Sequence, residues 1–135
     1  MNDLGFMTGF LDAFIAFAMA LVALGIGLFL YSSITPHKEV ALIRAGNRAA
    51  SVSFSVTVLA LAVPIAAAIH NTHSPLEIAV WSGNAVLFQL FAYLGFSRIF
   101  PETGKAIEDG HVIRVLPLCA LQIAVALLNA AVFAS

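Results

Sequence analysis

Four stretches of the chain, 10–33, 49–69, 78–97 and 112–134, are almost continuously apolar and are separated by short polar breaks. A hydrocarbon core of roughly 30 Å takes about 20 helical residues at about 1.5 Å each. Each stretch reaches that length. Backbone groups in lipid must find partners within the protein, so the stretches are either helices or strands of a closed barrel. The ten-residue apolar–polar alternation of barrel strands is missing, and the pattern predicts four membrane-spanning helices.

The breaks differ in charge. The middle one, 70–77, is short and holds Pro75, which stops a helix. The outer two, 34–48 and 98–114, carry all six basic residues: Lys38, Arg44 and Arg48 in the first, Arg98, Lys105 and Arg114 in the second. The N-terminus and the middle break hold acids, Asp3 and Glu77, with Asp12 just inside the first stretch. The positive-inside rule then places both basic joints in the cytoplasm and both termini in the periplasm.

Composition agrees with spanning. Hydrophobic residues make up 61% of the 135, against roughly 45–50% in an average soluble domain. Charged residues make up 10%, where about 25% is usual, and the mean hydropathy is +1.02. A soluble domain of this size could not bury so much apolar side chain. These values exclude a soluble enzyme, a disordered chain and a disulfide scaffold. Six basic residues make no patch for nucleic acid. The single Cys119 lies in the apolar run 116–128 and is expected to pack rather than react. No basic segment precedes the first stretch, so it is expected to remain in the mature protein rather than leave as a signal peptide.

The two basic joints also resemble each other. A shift of 65 places Ser32 on Ser97, Pro36 on Pro101 and Asp12 on Glu77; a shift of 64 then places Ile43 on Ile107 and Gly46 on Gly110. Self-similarity at a fixed offset marks a repeated unit. The unit is helix, basic joint, helix, with one copy over 10–69 and a second over 76–134. Two crossings return a copy to its starting side, so the copies are expected to be parallel, about an axis along the membrane normal.

Each joint has the signals of a short amphipathic helix. Thr35 is placed to cap a helix starting at Pro36, Gly46 to supply a left-handed stop, and Asn47 to cap the next span. Val40, Ile43 and the stems of Lys38 and Arg44 suit the headgroup boundary. Gly104 weakens the second copy.

Few residues offer chemistry. Asp12 and Glu77, each in the first turn of a span, fit either a helix-dipole role or an ion path. His70 and His73 read as loop histidines rather than zinc ligands, because two ligands are too few. Ser51, Ser53, Ser55 and Thr57 are expected to bond back to their own helix. Asn84, Gln89, Gln122 and Asn129 must find partners across helices or line a wet cavity. Pro64 and Pro117 can bend their helices. The pairs Ala62/Ala66, Ala120/Ala124 and Ala126/Ala130 offer close helix contacts. Trp81 suits the outer aromatic belt, and Tyr31, Phe96 and Phe100 the inner one. There is no phosphate loop, nucleophile elbow or zincin helix, and no cofactor or metal site is expected.

The run Tyr31-Ser-Ser-Ile-Thr-Pro-His-Lys-Glu39, with Leu42-Ile43 and Asn47-Arg-Ala-Ala-Ser51, resembles the YjfL-like family of small bacterial inner-membrane proteins, a domain of unknown function. The likeness continues through Pro64, Trp81, Gln89, Pro101, Ile107 and Asn129-Ala-Ala131. It implies a four-helix inner-membrane protein with a duplicated two-helix unit and no assigned reaction. It also implies a setting near envelope-stress components, among them peripheral membrane proteins of the cytoplasmic face. Two positions depart from the resemblance: His111 stands where Asn is expected, and Asn84 where an apolar residue is expected.

The combined expectation is an all-α, polytopic, non-enzymatic inner-membrane protein that binds lipid, forms homo-oligomers and docks cytoplasmic partners. Thr35, Pro36, Glu39, Gly46, Asn47, Pro101 and Gly110 would set the joint geometry. Lys38, Arg44, Arg48, Lys105 and Arg114 would meet anionic headgroups or an acidic partner. The alternative is an oligomeric ion or solute conductor, its path drawn from Asp12, Glu77, Asn84, Gln89, Gln122 and Asn129.

Overall fold

A computed structural model describes residues 3–35, 39–72 and 74–134. Six helices follow one another: α1 (Asp3–Ile34), α2 (Glu39–Arg44), α3 (Arg48–Asn71), α4 (Pro75–Ile99), α5 (Thr103–Glu108) and α6 (Val112–Ala134). Four of them, α1, α3, α4 and α6, are long and apolar enough to cross a membrane.

The boundaries follow local chemistry. Asn47 has extended backbone and its side chain accepts from the N–H of Ala50 at 2.9 Å, which opens α3. Ser74 caps α4 ahead of Pro75, whose missing N–H suits the first helical position. Serine and threonine inside the spans turn back on their own helices: Ser51 donates to the Asn47 carbonyl, Ser55 to Ser51 and Thr57 to Ser53.

Two boundaries differ from those read in the sequence. Helix α1 starts at Asp3 rather than near residue 10, because nothing in 4–9 breaks it and the Thr8 hydroxyl bonds back to the Leu4 carbonyl at 2.9 Å. The connection between α3 and α4 shrinks to 72–74, since His70 and Asn71 still belong to α3. The Thr35 hydroxyl donates to the Tyr31 carbonyl at 3.1 Å, and the helix start read at Pro36 falls outside the described residues. Pro36, His37, Lys38 and His73 lie outside the described residues.

The central contact is α3 against α6. Helix α4 packs on both, α1 packs on α4 and α3, α2 lies on α3, and α5 lies on α6, α3 and α4. Tyr31, Leu61, Ala85, Ile107, Val115 and Leu118 form the heart of the core. Gly27 lets α1 approach α4: a Cβ there would lie 3.0 Å from Cγ2 of Val86. Most of the remaining α1 surface is apolar and exposed, including Phe10, Phe14, Phe17 and Phe29. An apolar groove of about 540 Å³ runs between α1 and α4, lined by Ile15, Met19, Val22, Ile78 and Val86 among others.

Two aromatic placements are corrected. Tyr31 is 1% exposed and Phe96 is buried too, so neither sits in an outward-facing belt, whereas Phe100 is exposed and stacks on Phe96 at 4.8 Å. Tyr31 meets Tyr93 edge-on, with centroids 6.4 Å apart. Ala120 and Ala124 are exposed, and of the alanine pairs only Ala126 is buried.

Candidate functional site

The joints end alike. In the first, the N–H of Gly46 bonds the carbonyl of Ile43 at 2.9 Å and that of Asn47 bonds Leu42 at 3.0 Å. In the second, Gly110 bonds Ile107 at 3.2 Å and His111 bonds Ala106 at 2.9 Å. This is the Schellman pattern, which requires a left-handed residue after the helix. Gly46 and Gly110 supply it, with φ of 85° and 78°.

One side chain locks the joints together. While Oδ1 of Asn47 caps α3, its Nδ2 donates to the carbonyls of Ile107 at 2.8 Å and Glu108 at 2.9 Å. Those carbonyls belong to the last turn of α5, and that of Ile107 also accepts from Gly110. His111 holds the matching place before α6 and is exposed. Beside the tie lies a crevice of about 440 Å³ lined by Leu42, Gly46, Asn47, Arg48, Glu108 and Asp109.

Around this tie the basic residues point outward. Arg44, Arg48, Arg98, Lys105 and Arg114 are all exposed, while Ile43 and Ile107 hold the two short helices against the core. Pro101 is exposed in the turn before α5, where Thr103 donates to the Phe100 carbonyl at 2.7 Å. Glu39 behaves differently from the other joint residues. It opens α2 yet is only 2% exposed, within electrostatic reach of the Tyr31 and Tyr93 hydroxyls.

A second polar centre lies inside the bundle. Nε2 of Gln122 donates to the Tyr31 hydroxyl at 3.1 Å and to Thr57 Oγ1 at 3.0 Å. Nε2 of Gln89 donates to the Gln122 backbone carbonyl at 3.0 Å. Four helices thus meet at one residue, Gln122. Farther along the α4–α6 contact, Asn84 and Asn129 stand 3.5 Å apart, at the limit of a hydrogen bond.

The structure therefore sorts the residues proposed for an ion path. Gln89 pairs with Gln122 and Asn84 with Asn129, all within one chain. Asp12 and Glu77 are exposed and join neither pair. Sequence reasoning missed Tyr31 and Thr57 as members of the centre. A tyrosine near a span end looks like an anchor, and a threonine in a helix looks self-satisfied. Among the described residues there is no cluster of three or more histidine, cysteine or acidic side chains suited to a metal.

Four long apolar helices around a buried polar centre define a multi-pass helical membrane protein. The chain belongs to the family described as Domain of Unknown Function (DUF350), which it matches over residues 5–133. It is 37% identical over 94 residues to the UPF0719 inner membrane protein YjfL of Escherichia coli K12, covering 70% of this chain and 68% of that protein. The same values hold for YjfL of Escherichia coli O157:H7. No solved structure matches. With the four spans, these relatives make the chain a multi-pass inner-membrane protein.

Proposed function

We propose that this protein is a non-enzymatic docking component of the bacterial inner membrane, built from a duplicated two-helix unit, with both joints in the cytoplasm and both termini in the periplasm. The observation that carries this reading is the Asn47 tie, which fuses two joints into one surface while Arg44, Arg48, Lys105 and Arg114 stay exposed. A fixed surface keeps its charges in a constant arrangement, so a partner meets it without having to order it first. The paired Schellman turns and the shared proline and glycine spacing support duplication. Confinement of all six basic residues to the joints supports the orientation. The exposed cations suit anionic headgroups and an acidic cytoplasmic partner. From the family resemblance, that partner is a peripheral membrane protein of the envelope-stress response, and the bundle works as a homo-oligomer.

Photocrosslinking from position 40, beside the basic surface, tests the reading in cells. Charge reversal at Arg44 and Arg48 together should remove cytoplasmic adducts while the spans still insert. Adducts that persist unchanged would overturn it.

A conducting oligomer is the second reading, favoured by the buried Gln89–Gln122 pair and the half-buried Asn84–Asn129 pair. Flux in proteoliposomes that falls with Asp12→Asn or Glu77→Gln would support it in its original form. Flux indifferent to both would remove those acids from the path.

A further inference from the structure

The hydroxyls of the spans are not all alike. Those of Ser33, Ser51, Ser55 and Thr57 each donate to the carbonyl one turn back in their own helix. The hydroxyl of Ser82, in α4, has no hydrogen-bond partner among the described residues, although Ser82 is only 6% exposed. A polar group buried in that state costs free energy until something completes it. Ser82 lines the groove of about 540 Å³ between α1 and α4. Among the described residues that line this groove, it brings the one hydroxyl, and none brings an amide or a charge. Water does not answer the need, because a held water takes about two to four polar partners and these side chains offer one.

Shape narrows the guest. On α4 the lining runs from Pro75 to Val86, about 16 Å of helix rise, which is close to the depth of one leaflet in a core of roughly 30 Å. Spread over that length, the volume gives a cross-section of about 34 Å², or about 6–7 Å across. A helix with its side chains is about 10–12 Å wide, so the groove does not take a span from a second copy of the chain. A single hydrocarbon chain fits. We propose that the groove seats one acyl chain of a glycerolipid from the leaflet at the Pro75 end, with an ester carbonyl accepting from the Ser82 hydroxyl. The apolar walls hold the chain, and the hydroxyl makes the site prefer an ester linkage to an ether. The depth agrees: Ser82 follows Trp81, an exposed aromatic of the kind that marks the headgroup boundary, where the esters of a bilayer lipid lie. The site is remote from the basic joints and stands whether or not they dock a partner.

The test uses the whole protein in nanodiscs of phosphatidylcholine whose chains are either ester-linked or ether-linked. The protein is released into mild detergent and weighed by native mass spectrometry. The expected result is one ester lipid retained per chain, with the ether lipid held about two- to tenfold less well, as one hydrogen bond would give. Ser82→Ala should bring the ester lipid down to the level of the ether. Gly83→Leu builds into a place where a Cβ meets nothing within 4 Å and should displace the lipid. Leu128→Phe, on an exposed face of α6, should leave it in place. No lipid on the unaltered protein, or a dimer that holds none, would overturn the proposal. So would retention that survives Gly83→Leu, or equal retention of the two lipids. Should Gly83→Leu fail to fold, the ester–ether comparison carries the test, and a preference unmoved by Ser82→Ala would overturn it.

Discussion

The amide of Asn47 reaches the carbonyl of Ile107 at 2.8 Å across 60 positions of sequence, and the same side chain caps the helix that follows it. One residue thus closes α5, opens α3 and joins the two joints that carry the basic charges. The exchange of a single atom can separate these roles.

Asn47→Asp keeps the capping oxygen but loses both donors to Ile107 and Glu108, whereas Asn47→Ala loses everything. The aspartate should lower stability by about 1–3 kcal/mol for two hydrogen bonds. The alanine should lose about 1 kcal/mol more for the cap. Thermal unfolding in mild detergent would rank them. His111→Ala, at the matching exposed position, should change little.

The left-handed glycines offer a separate test, because the space around each is known. A Cβ at Gly46 would meet nothing within 4 Å, and one at Gly110 would lie 3.7 Å from Asn47 Oδ1, so alanine at either is opposed by backbone conformation rather than by crowding. Each should cost about 1–2 kcal/mol. Gly25 and Gly83 are helical and open, and alanine there should be neutral or slightly stabilising. Gly27→Ala should instead loosen α1 from α4, because its Cβ would meet Val86 at 3.0 Å.

Gln122 gathers three helices through its side chain. Hydrogen bonds between membrane helices average about 0.6 kcal/mol in double-mutant cycles and reach about 1.7. A cycle between Gln122→Leu and Thr57→Val should therefore return a coupling within that span, read by unfolding in bicelles. Coupling between Gln122 and the exposed Leu128 should be near zero.

Orientation can be read by cysteine accessibility in a Cys119→Ser background. Single cysteines at 44 and 105 should react with a membrane-impermeant maleimide only after the inner leaflet is opened. A cysteine at 76, at the other end of α4, should react in intact spheroplasts. The reverse pattern would reverse the bundle.

Much of the fold was open to reading because hydropathy acts over whole spans. Four crossings and the Gly46–Asn47 stop-and-cap pair follow from chemistry within a few residues, whereas Pro75 opens α4 and α3 already ends at Asn71. The centre was harder. In lipid the outward face of a helix is as apolar as the inward face, so Phe14 and Leu61 look alike in sequence although one is exposed and the other buried. No stripe marks which way Tyr31 turns, and its place near a span end reads as an anchor. Its buried hydroxyl meets Gln122, 91 positions away. The amides were recognised as needing partners, but pairing Gln89 with Gln122 requires the register of α4 against α6. The cross-joint bonds of Asn47 were hidden for the same reason, since its cap is local and its donors reach across the chain.

Helix α1 has 32 residues against 24 in α3 and 25 in α4, so at about 1.5 Å each it is some 10 Å longer than its neighbours. A bilayer that just covers α3 and α4 leaves about two turns of α1 either projecting from the surface or accommodated by a lean. The close approach of α1 to α4 at Gly27 and Val86 lies near the end of α1 that also carries Tyr31. Thinning the membrane would therefore act on α1 before any other span, and the strain would arrive at the tyrosine that holds the polar centre together.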